Sequence, residues 1–265
     1  MSNCEKLSVE LVEKIRSKKP MTIKEIKDIV CISDGNMKLG KGVYNWSTLP
    51  GDKNHLITKK DGTVLCLTGG TCGRNCGVCF GECYAVNSAL FHPSCRKAWE
   101  KNTLMVRNHK DLCYRLISKF IDRKAATGHP VEMFRIHVSG EFESLDDIIA
   151  WNNLAKKYPS IKFYTYSKKY EFLAEFKMKG YTYEPNFAVN ISEWHNRKFC
   201  EDLANYTGLS IFAYGEEPVA DTYLNDPRFK FCPVVKRGGK ENHSFHCHDC
   251  IFCKSNGRRT AVWAH

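Results

Sequence analysis

The sequence predicts an α/β fold: a partial, open β/α barrel of parallel strands, with an N-terminal helical segment and a C-terminal cysteine-rich metal or cluster segment. Three observations predict it. Strand-like and helix-like stretches alternate through the middle of the chain, the pattern of a parallel sheet. Six such strands are too few to close an eight-stranded barrel. Cysteines gather in two stretches, "GGTCGRNCGVCFGECYA" (69–85) and "CPVVKRGGKENHSFHCHDCIFC" (232–253). The expected organisation is residues 1–62 as helices and loop, 63–229 as a βα core carrying the first cysteine loop, and 230–265 as the cysteine-rich segment.

Residues 7–18 place Leu7, Leu11, Val12 and Ile15 on one helical face. Thr22 and Glu25 have capping-box spacing and start a second helix just after Pro20. Residues 35–62 are rich in Gly, Asn, Asp and Lys and read mainly as loop. "TVLCLTGG" (63–70) reads as a buried strand entering the cysteine loop. Two helices are expected at 95–107 and 110–124. A βα rhythm follows: strands at 131–138, 161–167, 186–192, 209–214 and 230–235, with helices at 144–159, 170–180 and 196–207.

The chain has 265 residues, 43% of them hydrophobic, enough for a substantial core. It contains no apolar run of membrane-spanning length, and the charged N-terminus has no signal-peptide apolar region. These features predict a cytoplasmic protein with no membrane partner. In that reducing compartment fourteen cysteines read as thiolate ligands and buried thiols, not as a disulfide framework. A net charge of +11 favours anionic partners such as nucleotides or nucleic acid, or else a solvated lysine-rich surface.

Cys72, Cys76 and Cys79 form C-x3-C-x2-C. Three thiolates on a tight glycine-rich loop can hold three irons of a 4Fe-4S cluster and leave the fourth iron open to a small ligand. Zinc is the alternative, because C-x2-C pairs are also zinc knuckles. Cys83 follows four residues on. Cys232, Cys247, Cys250 and Cys253 supply four ligands for a closed structural site, a second cluster or zinc. His243, His246 or His248 could replace one of these thiolates. "FRIHVSGEFES" ends a strand in Ser139-Gly140-Glu141, where Gly140 would let a ligand approach and Glu141 could accept from an ammonium group. "GNMKLGKG" (35–42) matches G-x4-G-K, but Gly42 stands where a phosphate loop needs Ser or Thr, so ATP hydrolysis is excluded.

Two resemblances rest on these residues. "GNMKLGKGVYNWSTLPG", "CFGECYA", "FRIHVSGEFES", "IKFYTYSK", the Cys232–Cys253 stretch and the terminal "TAVWAH" resemble the phage gene-product-88 family of cysteine-rich proteins, in order from Gly35 to His265. This implies a phage or mobile-element origin and a place in the host cytosol. The cysteine loop after a first strand, with a later strand ending in "SGE", resembles radical S-adenosylmethionine enzymes. That resemblance implies cluster ligands Cys72, Cys76 and Cys79 and S-adenosylmethionine on the open iron. It also implies that Ser139, Gly140 and Glu141 contact the amino group of S-adenosylmethionine, and that the C-terminal cysteines hold an auxiliary cluster. Val78 and Phe80 depart from the usual aromatic residue before the third cysteine, and Ser139 replaces the first Gly of the turn. If Cys83 is a ligand, the set becomes Cys72, Cys79 and Cys83, or all four, and a closed site has no place for S-adenosylmethionine.

The expected activity is a radical-type iron–sulfur enzyme with an external electron donor. Residues near the carboxyl ends of the strands would line its cavity: His137, Tyr166, Lys168, Asn190 and Glu193. The alternative is a zinc-stapled nucleic-acid-binding protein without redox chemistry, with "KFYTYSKKYEF" (162–172) supplying bases with aromatic faces and charge.

Overall fold

The computed structural model describes residues 7–35, 39–40, 42–194, 196–215, 223, 225–235, 240, 242 and 244–263. His243 and part of the 35–42 stretch therefore lie outside the described residues. The described strands are β1 (Ile32–Asp34), β2 (Val43–Trp46), β3 (Met133–Ile136), β4 (Lys162–Ser167), β5 (Phe187–Glu193), β6 (Ser210–Gly215), β7 (Lys230–Phe231) and β8 (Arg259–Trp263). They form one open sheet in the order β1-β2-β3-β4-β5-β6-β8-β7, with every pair from β3 to β7 parallel. Among the described residues no helix is long and apolar enough to cross a membrane.

The chain divides into two compact units. One comprises Met1–Ser33, Asn45–Val131 and His137–Glu143, the other Asp34–Tyr44, Glu132–Ile136 and Ser144–His265. In the first unit, helix Val9–Arg16 begins at a Ser8 cap, and Thr22 and Glu25 form the expected capping box of helix Ile23–Lys27. Both pack on the long helix Lys110–Ala126, whose buried stripe runs through Leu112, Leu116, Ile117 and Phe120. Helices Tyr84–Phe91 and Pro93–Asn108 pack in series beside it.

Two expectations fail in this unit. Residues 63–70 form no strand: Val64 makes one isolated antiparallel bridge to Thr58, and Leu67 is 84% exposed. The apolar run is split, with Leu65 and Cys66 turned to a small cluster of Leu49, Ile57, Val86 and Ala89 while Leu67 faces water. The strand that precedes the cysteine loop in space is β2, inside the stretch expected to be loop. Its short run of Val43, Tyr44 and Trp46 is buried but surrounded by Gly, Asn and Lys that hide it in sequence.

The second unit follows the predicted βα rhythm. Helices Leu145–Lys157, Tyr170–Met178 and Arg197–Thr207 each connect one parallel strand to the next. Strand alternation gives the sheet two different faces. Phe134 and Phe163 stack at 5.9 Å and meet Trp151 of the first of these helices at 5.6 and 6.4 Å. The residues of opposite parity are Arg135, Tyr164, Tyr166, Asn190 and Phe212, and the segment Phe252–Lys254 packs on those of β4 and β5. The expected strand 230–235 shrinks to β7, because the chain turns at Cys232 and Pro233. Cys232 N–H donates to the Ala261 carbonyl, which ties that turn to β8. β8 itself was missing from the sequence reading and occupies the position between β6 and β7.

Candidate functional site

The first cysteine loop is anchored to the chain that leaves β2. Thr71 N–H donates to Leu49 O at 3.1 Å and Cys72 N–H to Gly51 O at 2.9 Å. The turn after β3 reaches the same segment, with His137 N–H on Trp46 O at 2.9 Å and Thr48 N–H on Ser139 O at 3.1 Å. Arg107, unremarked in the sequence, ties loop to turn. Its guanidinium donates to the carbonyls of Gly69 and Gly70 at 2.6 and 2.8 Å and pairs with Glu143.

The loop folds as short helical turns, Gly73–Asn75, Cys76–Cys79 and Phe80–Glu82. Cys76 is 2% exposed. The neighbouring Cys76 thiol, burial and the nearby Glu141 carboxylate push the Cys72 thiol well above its ordinary pKa. A bound cation would reverse this, since a metal takes the thiolate and releases the proton. Cys79 is half-buried. Cys83 packs against the Leu49, Ile57 and Val86 cluster and precedes helix Tyr84–Phe91, so it stands where the chain turns away from the loop.

The Ser139-Gly140-Glu141 turn is buried. Gly140 has φ +76°, and a β-carbon there would stand 2.0 Å from Thr48 Oγ1 and 2.8 Å from Thr71 Oγ1. The glycine is therefore required by the packing of those two hydroxyls, which bond each other at 2.8 Å. Glu141 N–H donates to Thr71 Oγ1 at 2.8 Å. Ser139 Oγ is buried without a hydrogen-bond partner among the described residues. His137 sits beside this turn with φ +56°, a region that non-glycine residues seldom occupy. Its ring is wedged edge-on between Trp46 at 5.4 Å and Phe142 at 5.1 Å, with Nδ1 3.5 Å from Thr48 Oγ1.

The second unit brings Cys253 together with Cys232, Cys247 and Cys250, all close enough to raise the pKa of its thiol. Burial pushes that thiol up to about 12, and the other three add to this. Among the described residues no three of these thiols lie within 4.8 Å of one another. Buried Lys254 donates to the carbonyls of Cys247 and His248, and burial lowers its pKa. Asn190 Nδ2 bridges Thr165 O and Cys253 O, both at 2.9 Å. Asn190 Oδ1 and the Tyr164 hydroxyl are buried without partners among the described residues, and Tyr164 lies within electrostatic reach of Cys247, Cys250 and Cys253. Of these two buried atoms the Tyr164 hydroxyl can donate to a bound group, whereas Asn190 Oδ1 can only accept.

The five expected cavity residues are not one set. Tyr166 and Asn190 are register partners and both contact Cys253. Lys168 holds its ammonium 5.2 Å from the Trp194 ring, and Trp194 stacks on Tyr214 at 4.9 Å. Glu193 has the parity of the helix-bearing face; its carboxylate accepts from Asn196 N–H and the Tyr223 hydroxyl, so it serves the fold. His137 belongs to the first unit. Of the aromatics of 162–172, Phe163 and Tyr164 are buried and Tyr166, Tyr170 and Phe172 are partly exposed.

No curated protein and no solved structure matches the chain. The family profile described as Gene product 88 matches residues 31–256, spanning both cysteine groups and the turn after β3, and the chain therefore belongs to the gene product 88 family.

Proposed function

We propose that this protein is an iron–sulfur enzyme of radical S-adenosylmethionine type. The observation that carries the reading is that the Glu141 turn is tied to the start of the cysteine loop: Glu141 N–H donates at 2.8 Å to the hydroxyl of Thr71, the residue before Cys72. A thiol of the C-x3-C-x2-C loop and the carboxylate of the turn after β3 are electrostatic neighbours within one unit. Cys72, Cys76 and Cys79 would hold a 4Fe-4S cluster, and Glu141 would hold the amino group of S-adenosylmethionine, with Ser139 Oγ as a further buried contact. When bound, the pair supplies one-electron reductive cleavage of the sulfonium and hydrogen abstraction from a substrate. The chain positions both partners and excludes water. The strand order β3-β4-β5-β6 supports a partial barrel, because a sheet wound in one direction keeps its helices on one face.

Cys232, Cys247, Cys250 and Cys253 would hold a second cluster on the sheet face away from the helices. Their C-x2-C-x2-C run favours a cluster over zinc, because three near-adjacent ligands would otherwise have to fold onto one ion. The net charge of +11 favours an anionic substrate, such as a nucleotide or nucleic acid. An external electron donor is required.

Anaerobic purification with iron, sulfide and zinc analysis tests the reading. The expected protein is brown, absorbs near 400 nm, carries about eight irons per chain and cleaves S-adenosylmethionine when reduced. Stoichiometric zinc without sulfide would replace it with a zinc-stapled protein without redox chemistry.

A further inference from the structure

We propose that His55 is a ligand of the first metal centre and that Asp52 is its positioning residue. The proposal rests on the reading above only for the identity of the metal. Neither residue belongs to the cysteine pattern, and both come from the segment between β2 and the loop. Asp52 Oδ1 accepts three hydrogen bonds: from Asn54 N–H at 2.8 Å, His55 N–H at 2.9 Å and His55 Nδ1 at 2.9 Å. A turn needs the two backbone bonds. The third fixes the imidazole, and with Nδ1–H donating, the lone pair is on Nε2.

That ring edge is aimed at the cysteine loop. A β-carbon built on Gly77 would stand 3.9 Å from both Cε1 and Nε2 of His55, so the edge faces the backbone next to Cys76. The Phe80 ring lies 5.2 Å from the imidazole and limits its swing. Ligand-capable atoms of Asp52, His55 and Cys76 all lie within 4.8 Å of one another, and the Cys72 thiol is the neighbour of that of Cys76. The grouping is a carboxylate–histidine pair presented to two thiols, the arrangement by which proteins orient an imidazole on a metal. The first centre is thus a mixed thiolate–imidazole site. In the radical-enzyme reading, His55 would be a displaceable ligand of the iron that the three cysteines leave open to S-adenosylmethionine.

Full-length protein labelled with 15N-histidine, purified anaerobically, reduced and measured by pulsed electron paramagnetic resonance decides this. Wild-type protein is expected to show a histidine-nitrogen coupling that is lost in His55→Ala and His55→Gln, and lost on adding S-adenosylmethionine. Asp52→Asn is expected to lower metal affinity about 10- to 100-fold. A coupling that survives His55→Ala would belong to His246 or His248 and overturn the proposal, as would a cluster-bearing wild type with no coupling. If the chain holds zinc without iron or sulfide, the radical reading fails and cobalt substitution decides the ligand. His55→Ala must then bind one cobalt fewer, and unchanged cobalt binding overturns the assignment. Circular dichroism of His55→Gln separates loss of ligand from loss of fold.

Discussion

Asn190 Nδ2 donates to the Cys253 carbonyl at 2.9 Å. The bond reaches from β5 to the last cysteine of the C-terminal group. The phenol of Tyr166, the register partner of Asn190, lies beside the thiol of the same cysteine, where burial raises the thiol pKa and the phenol opposes that rise. One face of the sheet thus meets Cys253 at both its thiol and its backbone. Tyr166→Phe removes the phenol oxygen and leaves the shape. It is expected to cost up to about 1 kcal/mol of stability and, in the cluster-loaded protein, to lower the reduction potential, because a polar hydrogen beside ligand sulfur raises it. Urea unfolding and a redox titration read the two effects. An unmoved potential would refute the placement of Cys253 as a ligand.

Gly140 was expected to be glycine so that a ligand could approach; the geometry assigns it to packing against Thr48 and Thr71. Gly140→Ala should therefore destabilise the protein without any ligand present. A left-handed backbone costs an alanine about 1–2 kcal/mol, and the overlap with Thr48 Oγ1 adds to it. Adding Thr48→Ala should recover the overlap and not the backbone cost. Thermal unfolding of the single and double variants measures both. An unchanged melting temperature in Gly140→Ala would return the glycine to a ligand-approach role.

The βα rhythm was legible because each strand carries a strong apolar alternation and each helix a cap or a stop: Ser144 and Glu25 mark starts, Gly208 a left-handed stop. Both cysteine groups were legible from spacing alone. Parity could have sorted the cavity residues, since Asn190 and Glu193 lie three apart in one strand and so face opposite sides. Other features were hidden. β2 is four residues long in a polar stretch, and the 63–70 run has strand composition but no sheet edge to join. Asp52, His55 and Arg107 reach the loop through tertiary contacts that no sequence pattern encodes.

Cys66 offers a pH test of the interior of the first unit. Its thiol donates to Glu100 Oε1 at 3.1 Å, and burial, then that carboxylate, push it up from 9.0 to about 11. The folded state keeps the proton that the unfolded chain releases. Its contribution is fully present below about pH 9 and is lost as pH rises toward 11, with a slope of up to about 1.4 kcal/mol per pH unit. In Cys66→Ala the fall of unfolding free energy over this window should be shallower than in wild type. Parallel curves for the two proteins would show that Cys66 does not titrate there.

The remaining prediction separates Cys76 from Cys83. Cys76 is buried, next to the Cys72 thiol and placed beside Asp52 and His55. Cys83 packs on an apolar cluster, and its carbonyl accepts from Val86 and Asn87 N–H, which commits its backbone to the start of helix Tyr84–Phe91. Cys76→Ser should lose the metal of the first centre, and with it S-adenosylmethionine binding, while keeping the C-terminal centre. Cys83→Ser should keep the metal at both centres and cost about 1–3 kcal/mol of stability, because it places a hydroxyl against apolar side chains. Iron and sulfide per chain, measured anaerobically beside a denaturant titration, separate the two. If Cys83→Ser lost the first centre and Cys76→Ser kept it, the ligand set would become Cys72, Cys79 and Cys83, and His55 would have no place in it.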